Sequence, residues 1–264
     1  MQKTLVQIYE IQTPEEARSM ISLGVDHIGS VLTDVQQRHD PNIRETLSVV
    51  RALGAVSSLI PLFSDVDAIV DCIDFHGPDV VHFCDALRIE NEASISAALT
   101  LQKAVKKRFP HTRMMRTIPI PTHLSRKGER ILETAARFEP FSDYFLTDTV
   151  LVDDNKHKAS EQPVDGFVGI TGKTCDWQVA RRLVVESSIP VILAGGLSPE
   201  NVKDGILQVR PYGVDSCTQT NARDENGQTI RFRKDKERVK RLIGQARLAD
   251  KAIEQNNQRT SAHV

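Results

Sequence analysis

The chain has 264 residues, and 34 Lys and Arg face 35 Asp and Glu, which gives a formal net charge of -1 at pH 7. Hydrophobic residues make up 40% and charged residues 26%, a balance typical of a globular protein with a sizeable core. Such a charge excludes a general attraction to nucleic acid or to acidic membrane surfaces. No apolar stretch of the sequence reaches membrane-spanning length, so neither nucleic acid nor a membrane is an expected partner.

The cysteines indicate a reducing compartment. The 4 cysteines lie far apart and form no CxxC pair: Cys72, Cys84, Cys175 and Cys217. This spacing indicates neither a zinc site nor a dense disulfide framework. Residues 1–10 also lack the long apolar region and cleavage site of a signal peptide. We therefore expect a cytoplasmic protein.

Short β-rich runs alternate with longer amphipathic segments along the whole chain. The predicted strands are Leu5–Tyr9, His27–Leu32, Ser58–Phe63, Val80–Phe83, Met114–Ile118, Tyr144–Thr147, Pro190–Ala194 and Gly213–Ser216. Helix starts are indicated by a cap and proline at Thr13-Pro14 and again at Ser198-Pro199. Alternating strands and helices favour a parallel sheet, and eight such units predict an α/β fold, the (β/α)8 TIM barrel. A doubly wound open sheet is the alternative.

No linker divides the sequence, so residues 1–250 are expected to form a single barrel. Residues 150–163 are long and polar, which is typical of a mobile loop after strand 6. Residues 251–264 are rich in Gln and Asn and have no apolar stripe. We expect them to be a polar C-terminal tail, either a frayed helix end or disordered.

The reactive residues of such a barrel lie at the carboxyl ends of the strands and in the loops that follow. Gly195 and Gly196 directly follow the seventh strand, where bare backbone amides can approach an anion. The pair favours a phosphate site, although a tight turn alone would also need glycine. The run Gly172-Lys173-Thr174 is not a P-loop, because Phe167 stands where the first glycine is required.

Several linked motifs in the second half resemble those of the phosphoribosylanthranilate isomerase family of tryptophan biosynthesis. The segment Phe145-Leu146-Thr147-Asp148-Thr149 is similar to the end of the family's sixth strand, and residues 169–177 resemble its GGTGKTFDW motif. Residues 193–202 resemble LAGGL-x-PENV almost letter for letter, and residues 212–216 resemble GVDxSS. The first half of the chain is less similar to the family, but its elements still align with those of the family in the same order.

The resemblance implies an enzyme that performs an Amadori rearrangement, in which an aldose-type ring opens and becomes a ketose-type chain. Asp148 matches the family's general acid, and Arg38 stands where a substrate-contacting arginine is expected. The implied phosphate-binding residues are Thr171, Gly172, Gly195, Gly196 and Ser216. No metal or organic cofactor is implied. The expected partner is a small phosphorylated metabolite, bound by a monomer or a homodimer.

One departure concerns the family's catalytic base, a cysteine in a KxCGx motif on the first strand. The matching stretch here is Gln7-Ile8-Tyr9-Glu10-Ile11. Tyr9 takes the cysteine's place as the third candidate catalytic residue, but a tyrosine with a pKa of about 10 is a poor base at neutral pH. Glu10, Cys84 and Asp85 are possible substitutes near the rim. Strand alternation places His82 with Cys84 on one face, and Phe83 with Asp85 on the other.

Three functions therefore fit the sequence. The first is an isomerase of the family's type with Asp148 as its acid. The second is a barrel that has lost isomerisation and binds a phosphometabolite or a partner protein. The third is another phosphosugar reaction, such as epimerisation or aldol cleavage, which lacks support because no lysine for a Schiff base and no His/Asp set for a metal lie at strand ends.

Overall fold

The computed structural model describes residues 3–122, 128–150, 167 and 171–261. Its parallel strands close in chain order into a barrel, with β8 paired back to β1. The strands are β1 Leu5–Ile8, β2 His27–Leu32, β3 Val56–Pro61, β4 Val80–Phe83, β5 Arg113–Pro121, β6 Tyr144–Val150, β7 Val191–Leu193 and β8 Gly213–Ser216. The predicted (β/α)8 barrel is confirmed, and the open sheet is excluded because the strands leave no free edge.

A helix follows each strand on the outside of the barrel. The helices are α1 Pro14–Ser22, α2 Pro41–Ala52, α3 Val66–His76, α4 Glu92–Arg108, α5 Gly128–Phe138, α6 Trp177–Glu186, α7 Val202–Val209 and α8 Lys236–Ser261. Helix α1 begins as predicted, because the Thr13 hydroxyl accepts a hydrogen bond from the Glu16 N–H at 3.2 Å. Helix α7 begins later than the Ser198-Pro199 pattern indicates. Asn201 holds the preceding turn, since its side-chain oxygen accepts from the Ser198 N–H at 2.8 Å.

Two apolar layers follow from the alternation of side chains along the strands. Even-numbered residues of β1, such as Val6 and Ile8, are fully buried in the large core between strands and helices. Tyr9 packs instead with Met115 and Leu146 in a second cluster inside the barrel. The barrel interior is thus filled by side chains, so a ligand can reach it only at the ends of the strands.

A two-stranded antiparallel ribbon follows β8, consisting of β9 Asn221–Arg223 and β10 Thr229–Lys234. It turns at Gly227, whose φ of 78° lies in the left-handed region. The sequence indicated only that residues 219–234 are longer and more charged than the family's short connection. Because the ribbon starts where β8 ends, it lies at the same rim of the barrel as the predicted site.

Helix α8 runs into the segment predicted to be a polar C-terminal tail. Helix α8 continues to Ser261, and Ile253 is buried in the large core. The apolar contacts of Ile253 thus hold the helix beyond residue 250. Of the loop predicted at residues 150–163, all but Val150 lie outside the described residues. Within the ranges given above, the structure contains no helix with the length and hydropathy needed to cross a membrane.

Candidate active site

Two adjoining cavities open at the carboxyl ends of the strands. The mouth cavity is lined by apolar side chains and by the polar residues Tyr9, Glu10, His82, Asp148, Asp215 and Arg231. The glycine-loop cavity beside it is lined by Thr171, Gly172, Gly195, Gly196, Ser216 and Gln219, among others. Asp148, Asp215 and Cys217 line both cavities. The two carboxyl groups therefore stand where the two cavities meet.

Asp148 lies near the end of β6, with its side chain half-buried at the junction of the cavities. Burial raises the pKa of its carboxyl to about 6, although the Thr149 N–H, which donates to it at 2.7 Å, acts in the opposite direction. A carboxyl with such a pKa exchanges a proton readily near neutral pH. This is the property that a general acid or base needs.

Asp215 lies on β8 and was not among the catalytic candidates drawn from the sequence. Its side chain is buried, and it accepts a hydrogen bond from the Gln7 side-chain amide at 3.1 Å. Burial and the charge of Asp148 raise its pKa to about 7, against the opposing effects of Gln7 and Lys234. Strand alternation could have indicated it, since Asp215 shares an inward-facing register with Gln7.

Tyr9 fills part of the barrel interior and lines the mouth cavity together with the two aspartates. Its hydroxyl is hydrogen-bonded to the Ser58 hydroxyl at 2.6 Å and to His82 Nδ1 at 2.8 Å. Burial raises the pKa of Tyr9 well above its usual value. The ring lies against the backbone of Gly29, where a Cβ atom would come within 2.0 Å of it. Tyr9 therefore occupies the cysteine's place as a packed side chain that holds its proton firmly.

We expect Gly29→Ala to destabilise the protein because of this contact. Overpacking of this kind costs about 1–3 kcal/mol, which corresponds to a fall in Tm of roughly 2–12 °C for a chain of this size. In a Tyr9→Cys background the same glycine substitution is expected to cost much less, since the ring is gone. Thermal melts of the four proteins measure this coupling. Equal losses in both backgrounds would contradict the packing described.

The loops after β6, β7 and β8 are packed tightly around glycines with left-handed backbone. A Cβ on Gly195 would lie 2.4 Å from the Thr149 hydroxyl, and a Cβ on Gly196 would lie 2.5 Å from the Lys173 carbonyl carbon. The φ angles of Gly195 and Gly196 are 90° and 59°. Only glycine fits these two positions.

The main-chain N–H groups of this loop indicate what kind of ligand it can bind. In the described part of the chain, the N–H groups of Gly195 and Gly196 have no protein acceptor. The Gly196 carbonyl is held by the Asn201 side-chain amide at 3.1 Å, and Gln219 holds the Gly172 carbonyl at 3.1 Å. These contacts fix the peptide groups while leaving two adjacent N–H donors in the glycine-loop cavity, an arrangement suited to an anion.

The other predicted phosphate-binding residues line the same cavity, but their hydroxyl groups already have partners. Ser216 donates its hydroxyl proton to the Leu197 carbonyl at 2.7 Å. The Thr171 hydroxyl accepts from the Lys173 N–H at 3.3 Å, and its own proton stays available. Of the two hydroxyl groups, only that of Thr171 can therefore donate to an anion.

The structure does not bring Arg38 to the cavities. Arg38 follows the 3-10 turn Val35–Gln37 and pairs with Asp71 of α3, with 3.0 Å between Nε and Oδ2. Asp71 also contacts His39 at 2.9 Å. Arg38 is absent from the residues that line the mouth cavity and the glycine-loop cavity. The assignment of Arg38 as a substrate-contacting residue stays a prediction from the resemblance.

Of the substitutes considered for the missing base, Cys84 lines the mouth cavity together with His82, as the alternation predicted. Burial raises the pKa of Cys84, so its thiol keeps its proton, and lowers the pKa of His82 to about 3, so its imidazole is a very weak base. Asp85 faces the helix layer and pairs with Arg116 at 2.7 Å. None of these three offers an available base.

Glu10 is buried at the mouth in a left-handed conformation, with a φ of 63°. Burial alone would raise the pKa of its carboxyl, but the charges of Lys234 and Arg231 outweigh it and lower the pKa. Arg231 Nε donates to Glu10 at 2.8 Å, and the Asn221 amide donates at 3.4 Å. The ribbon thus closes one side of the mouth through an ion pair, which the sequence alone did not reveal.

Removing the two partners of this ion pair is expected to have unequal effects. Arg231→Met leaves the carboxylate of Glu10, whose side chain is only 2% exposed, whereas Glu10→Gln leaves Arg231, which is 30% exposed and can reach water. An unpaired buried charge costs about 3–5 kcal/mol, and nearby Lys234 reduces that loss. We expect Arg231→Met to lower the free energy of unfolding by about 2–4 kcal/mol and Glu10→Gln by about 1 kcal/mol. Urea unfolding at pH 7 checks the order, and the reverse order would contradict it.

Among the described residues, no group of three or more His, Cys, Asp and Glu side chains is arranged to hold a metal ion. The arrangement places two carboxyl groups, each able to give or take a proton near neutral pH, beside a loop with two N–H groups that have no protein acceptor within the described ranges. A closed parallel barrel with its polar residues at the carboxyl ends of the strands belongs to the class of (β/α)8 barrels that carry their reactive groups at that face.

Comparisons with known proteins narrow this class to one family. Residues 129–218 match the family described as N-(5'-phosphoribosyl)anthranilate (PRA) isomerase. The N-(5'-phosphoribosyl)anthranilate isomerase of Methanocella arvoryzae is 31% identical over 249 residues, which cover 93% of this chain and 99% of the relative. The chain therefore belongs to the N-(5'-phosphoribosyl)anthranilate isomerase family.

Solved structures of the family share the fold. The isomerase from Pyrococcus furiosus superposes with a TM-score of 0.64 at 22% identity, covering 92% of this chain and 98% of that one. A phosphoribosylanthranilate isomerase in complex with reduced 1-(o-carboxyphenylamino)-1-deoxyribulose 5-phosphate superposes with a TM-score of 0.62 at 19% identity, over 92% and 98% of the two chains. Both superpositions cover nearly the whole chain, so the shared fold is not limited to residues 129–218.

Proposed function

We propose that this protein isomerises a phosphorylated N-glycoside of the phosphoribosylanthranilate type by an Amadori rearrangement, with Asp148 as the general acid. The observation that carries the proposal is the position of Asp148, which stands between the mouth cavity and the glycine-loop cavity. Its carboxyl has a pKa raised by burial to about 6. Membership of the family supplies the substrate class.

The phosphate is proposed to bind in the glycine-loop cavity. The N–H groups of Gly195 and Gly196 donate to it, and the Thr171 hydroxyl and the Gly172 backbone complete the site. Ser216 holds the loop in place through Leu197. Hydrogen bonds from backbone amides to a phosphate are charge-assisted and are therefore stronger than those between neutral groups. The sugar ring then extends from this anchor toward Asp148.

The reaction begins with transfer of the Asp148 proton to the ring oxygen. The lone pair of the glycosidic nitrogen forms a C=N bond with C1 as the C1–O bond breaks. A base then removes the proton from C2, which gives an enolamine, and this tautomerises to the ketose. The acid is effective because its pKa lies close to the working pH.

A second candidate function is a barrel that binds a phosphorylated metabolite and does not isomerise it. The observation that favours it is Tyr9, which replaces the strand-1 base with a hydroxyl bound to Ser58 and His82. Such a protein would keep the glycine-loop cavity and lose the rearrangement. Turnover and ligand affinity therefore separate the two functions.

The deciding experiment mixes purified protein with phosphoribosylanthranilate and follows the loss of the substrate's fluorescence. A rate proportional to protein concentration and above that of a buffer control is the result expected of an isomerase. In parallel, titration with the reduced carboxyphenylamino-deoxyribulose phosphate measures affinity by thermal shift. Ligand at about a hundred times its Kd adds roughly 2.7 kcal/mol to the free energy of unfolding. Binding without turnover would support the second function. The absence of both binding and turnover would reject both functions.

A further inference from the structure

We propose that Asp215 is the catalytic base of this reaction and that Gln7 is its positioning residue. The proposal rests on the proposed isomerase function and names the group that the missing strand-1 cysteine leaves unassigned. Asp215 lies at the end of β8 and lines the same two cavities as Asp148. A base there reaches the same bound sugar as the acid on β6.

The contact between Gln7 and Asp215 is built into the barrel. The two residues are register partners across the β1–β8 pair, so their side chains stand side by side in the interior. Gln7 Nε2 donates to Asp215 Oδ1 at 3.1 Å, while Gln7 Oε1 is hydrogen-bonded to His27 Nδ1 at 3.3 Å. His27 thereby orients the amide so that its NH2 group faces the carboxylate.

The chemical difference lies in the charge at position 7. The family motif KxCGx has a lysine at the place of Gln7, and an ammonium there would stabilise the ionised form of Asp215. The neutral amide donates a hydrogen bond without that charge. Burial therefore dominates and raises the pKa of Asp215 to about 7. A carboxylate with this pKa is a much stronger base than an ordinary aspartate.

Other groups also face Asp215. The charge of Asp148 acts with burial to raise its pKa, and Lys234 acts against it. Tyr9 and Cys217 lie in the same cavity and hold their protons, because burial raises the pKa of each. Asp148 and Asp215 are thus the groups of the mouth whose proton occupancy changes between about pH 6 and pH 7.

The pair balances every proton in the rearrangement. Asp148 gives its proton to the ring oxygen, and Asp215 takes the proton from C2. In the second half, Asp215 returns its proton to C1, and Asp148 recovers one from the C2 hydroxyl as the ketone forms. Both carboxyl groups end in their starting states. In the active form the pair holds one proton, and that proton is on Asp148. Because the pKa of Asp215 is about one unit higher than that of Asp148, the form with the proton on Asp215 is about tenfold more populated.

The test compares wild-type protein with Asp215→Asn, Gln7→Lys and the control Asp204→Asn, at an exposed position of α7. For each, kcat/KM for phosphoribosylanthranilate is measured from about pH 5 to pH 9, and Kd is measured for the reduced analogue. Asp215→Asn is expected to lose about 10²–10⁴-fold in kcat/KM, with little change in Kd. Asp204→Asn keeps the wild-type profile.

Gln7→Lys gives a readout that does not require loss of activity. The active form needs an ionised base and a protonated acid, and the acid has the lower pKa, so the wild-type rate falls below about pH 6 and above about pH 7. An ammonium beside Asp215 lowers the pKa of the base by about 1–3 units, to or below that of Asp148, so the basic limb moves down to about pH 6. Turnover retained in Asp215→Asn, or an unmoved basic limb in Gln7→Lys, overturns this assignment alone. A wild-type protein without turnover rejects the proposed function, and the base assignment falls with it.

Discussion

Asp148→Asn is expected to lower kcat for phosphoribosylanthranilate by about 10²–10⁴-fold. The amide keeps the shape of the carboxyl group but has no proton to transfer to the ring oxygen. In the wild-type protein the acid must be protonated and the base ionised, so with a pKa of about 6 for Asp148 and about 7 for Asp215 the rate falls as the pH rises above about 7. The fluorescence assay at a series of pH values measures both the loss of kcat in the variant and the pH at which the wild-type rate falls.

A stability measurement distinguishes a fall in kcat caused by the missing proton from one caused by unfolding of the variant. A carboxyl whose pKa is raised in the folded state stabilises that state only while it is protonated, and this stability is lost as the pH rises through the folded pKa. The amide that replaces the carboxyl in Asp148→Asn cannot ionise, so at about pH 8 the variant should melt no lower than the wild type. Asp204→Asn serves as the surface control. Turnover of Asp148→Asn within a factor of two of the wild type would dismiss Asp148 as the acid.

Gly196→Ala is expected to weaken binding of the reduced carboxyphenylamino-deoxyribulose phosphate by about 10–200-fold, since one charge-assisted hydrogen bond contributes about 1.5–3 kcal/mol. A Cβ at this position would lie 2.5 Å from the Lys173 carbonyl carbon and 2.8 Å from the Gly172 carbonyl oxygen. The loop must therefore shift, and the adjacent N–H groups leave their places. Calorimetric titration measures the affinity.

The control for backbone strain is Gly54→Ala. Gly54 also has a positive φ, 78°, but nothing lies within 4 Å of the position of a Cβ there. This variant should lose stability to the strained backbone, by about 1–2 kcal/mol, and should bind the analogue as the wild type does. An unchanged affinity in Gly196→Ala, or an equal loss of affinity in Gly54→Ala, would argue against a phosphate site at this loop.

The sequence carried enough information for the barrel because each βα unit is encoded locally. Alternation along β4 also placed His82 and Cys84 on one face without telling which face points inward, and the structure shows that both line the mouth cavity. The boundaries were less accurate: β5 extends to Pro121, beyond the predicted end at Ile118. Its last residues pair with β6, a contact between strands that no local pattern reports.

The partners of the side chains that line the mouth cavity are set by contacts between distant parts of the chain, which a local sequence pattern does not show. Glu10 and Arg231 are separated by 221 positions, and no local pattern predicts their ion pair. The packing of Tyr9 depends on Gly29 of the neighbouring strand, and the proton affinity of Asp215 depends on burial and on Gln7. For Arg38 the resemblance predicts a contact with the substrate, and the structure shows its ion pair with Asp71.

The most direct test of the account is a crystal structure of the protein with the reduced carboxyphenylamino-deoxyribulose phosphate. The account predicts that the phosphate accepts hydrogen bonds from the N–H groups of Gly195 and Gly196, and that C1 and C2 of the sugar lie between Asp148 and Asp215. A phosphate bound elsewhere, or a sugar chain directed away from the two aspartates, would contradict it.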